Sequence, residues 1–168
     1  MTFRPENPLI VQGDKTVLLE VNNSRYEAAR DALARFAELE KSPEHIHTYR
    51  ITPLSLWNAA AAGETAETML HTLVEFGKYD LPENVRLDIL DYVSRYGRLK
   101  LYKEDSQLLL NASDPALIVE ITHHKKAQPF ILGAVDSHTL RIDPTQRGHL
   151  KQTLLLLGYP VEDLAGYV

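Results

Sequence analysis

Apolar positions recur at three-and-four spacing through three consecutive stretches in the middle of the chain, and then at a spacing of two. Leu54, Trp57, Ala60 and Ala61 form the first stripe; Thr52 is placed to cap it through its hydroxyl, Pro53 takes the first helical position, and Gly63 ends it. Ala66, Met69, Leu70, Leu73 and Val74 make the second, from about Thr65 to Gly77. Val85, Ile89, Tyr92, Val93 and Tyr96 make the third, from about Pro82 to Gly97. Leu99 and Leu101 against Leu108 and Leu110 then alternate, which predicts two strands joined across Lys103, Glu104, Asp105 and Ser106. Three helices followed by a hairpin give residues 52–112 a winged-helix-like order.

The flanks are shorter patterns. Residues 1–8 hold two prolines and no periodicity, which predicts a flexible terminus. Residues 9–51 read as a small strand, helix and strand unit: strands at Leu9–Val11 and Val17–Val21 about the Gly13-Asp14 turn, then a helix with Tyr26, Ala29, Leu33, Phe36 and Ala37 on one face that stops by Pro43. Ser24 and Glu27 have the capping-box spacing at its start, and a third strand falls within His45–Ile51. In residues 113–168, Asp114-Pro115 and Asp143-Pro144 repeat the cap-plus-proline device before helices carrying Leu117, Ile118 and Ile121, and Leu150, Leu154 and Leu157. Between them Phe130–Leu132 and Thr139–Ile142 are strand-like, and the tail from Val161 has no terminating signal. The fold class is therefore α+β, its three parts packed as one domain.

Composition narrows the chemistry. Of 168 residues 44% are hydrophobic, enough for a core, and none is cysteine, which removes disulfides, cysteine zinc sites and thiol catalysis. No apolar run approaches the roughly 18 residues of a membrane span and the first residues hold no signal-peptide core, so a cytoplasmic protein without membrane partners is expected. The formal net charge of −5 counts against strong DNA binding unless the cations gather on one side.

A phosphate-cradling loop of the G-x-x-x-x-G-K-[ST] type does not occur, so no ATP or magnesium site is expected within these residues. His45 with His47, and His123 with His124, invite a metal, but neither pair has a third ligand nearby in sequence; Ser94, His71 and Asp91 could be grouped into a triad, but no nucleophile sits on a Gly-x-Ser-x-Gly turn. Trp57, Tyr92 and Tyr96 have the spacing of a buried stripe. The predicted third helix, where a winged helix reads DNA, carries Glu83, Asp88 and Asp91 against Arg86 and Arg95, a poor surface for phosphate. The hairpin is better: Arg95, Arg98, Lys100 and Lys103 surround Tyr102, and Lys125, Lys126, Arg141, Arg147 and Lys151 would extend that patch if the fold brings them round. An ordinary charged outer face explains the same residues.

Three blocks resemble a known family. His45-Ile46-His47-Thr48-Tyr49-Arg50-Ile51-Thr52-Pro53-Leu54-Ser55-Leu56-Trp57, Leu81-Pro82-Glu83-Asn84-Val85 and Asp91-Tyr92-Val93-Ser94-Arg95-Tyr96-Gly97-Arg98-Leu99 are similar to the N-terminal region of the bacterial XPB-type DNA repair helicases, a superfamily 2 group. The likeness continues through Lys125-Lys126 and Arg147-Gly148 to Gly158-Tyr159-Pro160-Val161-Glu162-Asp163-Leu164-Ala165-Gly166-Tyr167. It implies a non-catalytic accessory domain before an ATP- and magnesium-dependent motor that begins shortly after these residues. Its implied partners are the motor domains of the same chain, single-stranded or forked DNA, or a repair or transcription protein; in eukaryotic relatives the corresponding region docks a subunit of the complex TFIIH, and an archaeal relative has a region described as damage-recognising. A pure protein-interaction module and a stand-alone winged-helix regulator are the alternatives.

Overall fold

The computed structural model describes residues 2–166; Met1, Val168 and Tyr167, which closes the last matching block and belongs to the predicted tail, lie outside them. The chain divides into two compact units, Met1–Ser94 and Arg95–Val168, and both mix helix and sheet, so the fold is α+β as expected.

The first unit is built on a four-stranded antiparallel sheet in the order β1-β2-β4-β3, with β1 Leu9–Val11, β2 Thr16–Glu20, β3 Glu38–Lys41 and β4 Ile46–Arg50. Leu9, Val17, Leu19 and Tyr49 alternate inward and share a core with helices α1 Tyr26–Leu33, α2 Pro53–Ala61, α3 Ala66–Glu75 and α4 Glu83–Arg95. Thr52 caps α2 and Thr65 caps α3. Each accepts a hydrogen bond from the third helical amide while Ser55 or Thr68 answers the cap's own amide. Trp57 donates from Nε1 to the Tyr92 carbonyl at 2.8 Å, which satisfies its only polar group inside the stripe the spacing predicted. The α2 stripe is rotated from expectation: Ser55, Leu56, Trp57 and Ala59 are buried, whereas Leu54 points out.

Three further expectations for this unit fail locally. Ser24 does not cap α1: Asn23 accepts from the Arg25 amide at 2.8 Å and donates to the Glu6 carbonyl at 3.0 Å, so the chain turns there and the helix begins at Tyr26 without a side-chain cap. The helix also stops at Leu33. Phe36 and Ala37 remain buried, but the next four residues are β3, an edge strand with every side chain exposed and therefore no apolar alternation to reveal it. The stretch 2–8 lacks regular structure yet is held. The Arg4 amide reaches the Lys78 carbonyl at 2.8 Å, and buried Asn7 donates to the carbonyls of Glu75 and Gly77 at 3.1 and 2.9 Å.

The second unit is a five-stranded sheet in the order β7-β8-β6-β5-β9, formed by β5 Leu99–Glu104, β6 Gln107–Ala112, β7 Ile131–Asp136, β8 Thr139–Ile142 and β9 Val161–Asp163. Helices α5 Pro115–Thr122 and α6 Arg147–Leu156 both bury their stripes against one sheet face, where Ile118, Ile121, Leu150 and Leu154 meet Leu99, Leu101, Leu108, Leu110 and Ile142. Gly97, at φ +89°, turns the chain from α4 into β5. Asp105 and Ser106, with φ of 50° and 66°, close the β5–β6 hairpin in two residues, a tighter loop than expected. The unit boundary falls inside residues 52–112 and separates the three helices from the hairpin. Both hairpin strands have further neighbours, β8 and β9, so the hairpin is the middle of a sheet and not a protruding wing. Asp143 and Pro144 start a single 3-10 turn, and α6 follows from Arg147. Strand β9, parallel to β5, was not expected in the tail.

Candidate nucleic-acid interface

Strand register sorts the candidate residues. In β5 the inward residues are Leu99 and Leu101, so Lys100 and Tyr102 project from the face opposite α5 and α6. Arg141 of β8 pairs through Leu109 with Tyr102 and lies on that same face, with its guanidinium alongside Gly133; a Cβ at Gly133 would stand 3.0 Å from it, and Leu109 between them is buried. Asn111 joins them, opposite Lys100, and donates to the Thr139 hydroxyl at 3.1 Å. The face is not purely basic, because Glu104 shares the parity of Lys100 and Glu162 pairs with Lys100 across the β5–β9 ladder. Lys100, Tyr102 and Arg141 thus form one small group: two cations, one aromatic and two nearby carboxylates.

The remaining candidates lie elsewhere. Lys103 has the parity of the helix-covered face, and Lys125 and Lys126 are exposed in the turn after α5. Arg147 and Lys151 of α6 do not extend the patch. Arg147 grips Asp163 of β9 with Nη2 at 2.6 and 2.7 Å and Nε at 3.0 Å, and Lys151 adds a bond at 3.0 Å. Arg147 also donates to the Gly166 carbonyl at 2.6 Å, and the Ala165 amide donates to Asp163 at 3.0 Å. Burial alone would raise the Asp163 carboxyl, but the hydrogen bonds from Arg147 and Lys151 outweigh it and hold it below the usual range. Because Asp163 pairs with Leu101, this network sits on the helix-covered side, opposite Lys100 and Tyr102. Its role is to fasten β9.

Arg95, at the end of α4, and Arg98, just before β5, line a pocket of about 280 Å³ within the second unit, together with Leu99, Leu117, Glu120 and Tyr159. The Tyr159 hydroxyl is pushed up by burial and by its hydrogen bond to Glu120. Neither Glu120 nor Tyr159 was foreseen as part of a site; they come from α5 and from the residue after Gly158, and no local spacing links them to the two arginines. On α4 the predicted charges are largely used within the first unit: Arg86 pairs with Glu83, which lowers that carboxyl, and Lys15 pairs with Asp88 at 2.7 Å.

Most of the other candidate side chains find ordinary partners, whereas Nδ1 of His124 is buried without a hydrogen-bond partner. His45 Nδ1 lies 3.2 Å from Asn22, His47 Nδ1 lies 3.5 Å from the Tyr26 hydroxyl, and His123 Nδ1 bonds the Val119 carbonyl at 2.8 Å. Among the described residues no three His, Asp or Glu side chains are grouped to hold a metal ion. Ser94 donates its hydroxyl to the Asp91 carbonyl at 2.6 Å, and His71 is exposed. Among the described residues no helix is long and apolar enough to cross a membrane.

Comparison with known proteins gives a consistent result. Residues 9–136 match the family described as "helicase conserved C-terminal domain", a run that spans parts of both units. The chain is 51% identical over 97% of its length to the "DNA 3'-5' helicase XPB" of Mycobacterium tuberculosis and 49% identical over 97% to that of Kineococcus radiotolerans. It is 31% identical over 95% of its length to the "General transcription and DNA repair factor IIH helicase/translocase subunit XPB" of Enterocytozoon bieneusi. It spans only 30%, 29% and 26% of these three relatives. A family match over most of the chain, joined to these identities, means that the chain belongs to the helicase conserved C-terminal domain family, among sequences of the XPB type.

Proposed function

We propose that this chain is a non-catalytic accessory domain of an XPB-like ATP-dependent DNA helicase, and that it positions DNA or a partner protein for a motor lying outside these residues. The observation that carries the reading is the likeness to two bacterial DNA 3'-5' helicases along 97% of the chain while covering under a third of either relative. The family description names a C-terminal domain, whereas the blocks at 45–57, 81–85 and 91–99 resemble an N-terminal region of XPB-type helicases, which favours an accessory role. ATP and magnesium belong to the motor, repair or transcription is the setting, and the cytoplasm is the compartment.

For the direct ligand, the group on the sheet face opposite α5 and α6 supports DNA: Lys100 and Arg141 would meet phosphate and Tyr102 would stack on a base. A docking role without DNA contact is favoured by a different observation, the net charge of −5 with Arg147 and Lys151 committed to Asp163. Fluorescence anisotropy of the chain with single-stranded, duplex and forked DNA across a salt series separates the two. Micromolar binding that weakens with salt and is lost in Lys100→Glu or Arg141→Glu supports DNA positioning. No binding at low salt leaves protein docking.

A further inference from the structure

The pocket lined by Arg95 and Arg98 has the make-up of a ligand site, and every residue lining it belongs to the second unit. At about 280 Å³ it is close to the lower limit of roughly 300 Å³ for pockets that take small molecules, which suits one nucleotide-sized group and nothing larger. Two guanidiniums supply forked donors that match a phosphate bidentately. Both arginines already interact within the protein, but each guanidinium has five donors to distribute, so an anion adds to those interactions. Leu99, Leu117, Leu157 and Pro160 give an apolar wall for a flat base or a sugar. Glu120 and Tyr159 line the same pocket and offer a polar edge that accepts hydrogen bonds from an exocyclic amine or a hydroxyl.

We propose that this pocket binds a nucleoside monophosphate group, with the phosphate held by Arg95 and Arg98 and the nucleoside against the leucine and proline wall. The group comes either from the phosphorylated end of a DNA strand or from a free mononucleotide. Only the first source rests on the DNA-contacting reading above; the pocket chemistry is the same for both.

The test uses the whole chain, labelled with nitrogen-15, titrated with deoxyadenosine monophosphate, a 5′-phosphorylated deoxytrinucleotide and the same trinucleotide with a 5′-hydroxyl. The expected result is that the phosphorylated ligands shift the guanidinium signals of Arg95 and Arg98 and the amide of Leu117, and that the 5′-phosphate tightens the trinucleotide about tenfold or more. That preference should disappear in Arg98→Gln, a change at an exposed side chain, and persist in Lys41→Gln, on β3 of the first unit. Binding of the mononucleotide in the pocket but of neither trinucleotide supports the pocket and removes DNA as its source. A trinucleotide that binds without regard to its phosphate and shifts only Lys100, Tyr102 and Arg141 overturns the pocket and leaves DNA positioning intact. Absence of any shift at Arg95, Arg98 and Leu117 with all three ligands overturns it as well, and this comparison on the unaltered chain holds whether or not a variant folds.

Discussion

Asp163 gathers the side-chain contacts that fasten the end of the second unit. Its side chain is 13% exposed, and three partners converge on it: Arg147, Lys151 and the Ala165 amide. Asp163→Asn keeps the shape but removes the charge. Two cations are then left facing a neutral amide, so a loss of about 2–3 kcal/mol is expected in urea unfolding at neutral pH. The acid dependence follows from the lowered carboxyl. A group depressed in the folded state contributes stability that is present above its unfolded value near about 3.9 and lost as pH falls through the folded value. The gap between the parent chain and Asp163→Asn should therefore narrow below about pH 4; a gap that stays constant down to pH 2 would mean that the charge is not what Arg147 reads. Gly77 gives a second residue-scale test. A Cβ there would lie 2.5 Å from the Leu73 carbonyl, in the backbone that also pairs with Leu9, so Gly77→Ala should cost about 1–3 kcal/mol by the same unfolding measurement. The sequence marked Arg147 and Lys151 only as cations. That they answer a carboxylate 16 and 12 positions away is set by a parallel strand of three residues, too short for any periodicity to announce.

Elements that carry their own chemistry were legible, and those defined by their neighbours were not. Thr52-Pro53 and Asp114-Pro115 start helices where the hydroxyl or carboxylate predicts, because capping is local. Thr52→Ala should cost about 1 kcal/mol for the same reason. By contrast β3 has no inward residue, and the split between α4 and the hairpin depends on which sheet the hairpin joins. Alternation identified β5 and β6 correctly but could not say that β8 and β9 flank them. The turn between them offers an element-scale prediction: Asp105 and Ser106 both sit in the left-handed region, where a side chain is strained at about 1–2 kcal/mol. Ser106→Gly removes part of that strain and should raise stability by about 0.5–1 kcal/mol after the extra chain entropy of glycine is counted. A destabilised Ser106→Gly would show that Ser106 holds the turn through its side chain.

If the chain contacts DNA as proposed, charge placement in the second unit sets how strongly and with what salt dependence it does so. A single patch made of the eight cations Arg95, Arg98, Lys100, Lys103, Lys125, Lys126, Arg147 and Lys151 would displace counterions at up to eight phosphates, which gives a log–log salt slope of roughly −5 to −6 on a single strand. The structure disperses them: Arg147 and Lys151 close on Asp163, Arg95 and Arg98 line the pocket, and Lys100 stands with Arg141 on the open sheet face beside Tyr102. Two or three phosphates engaged at once gives a slope of only about −1.4 to −2. With a net charge of −5 opposing even that, binding should be weak, salt-sensitive and dominated by single-stranded or forked ends, where Tyr102 can stack on an unpaired base. Anisotropy measured from low to moderate salt reads the slope directly. A shallow slope that vanishes in Lys100→Glu with Arg141→Glu assigns the contact to the sheet face. A slope near −5 would require the dispersed cations to act together, and would overturn the separation of Arg147 and Lys151 from the Lys100 and Arg141 face.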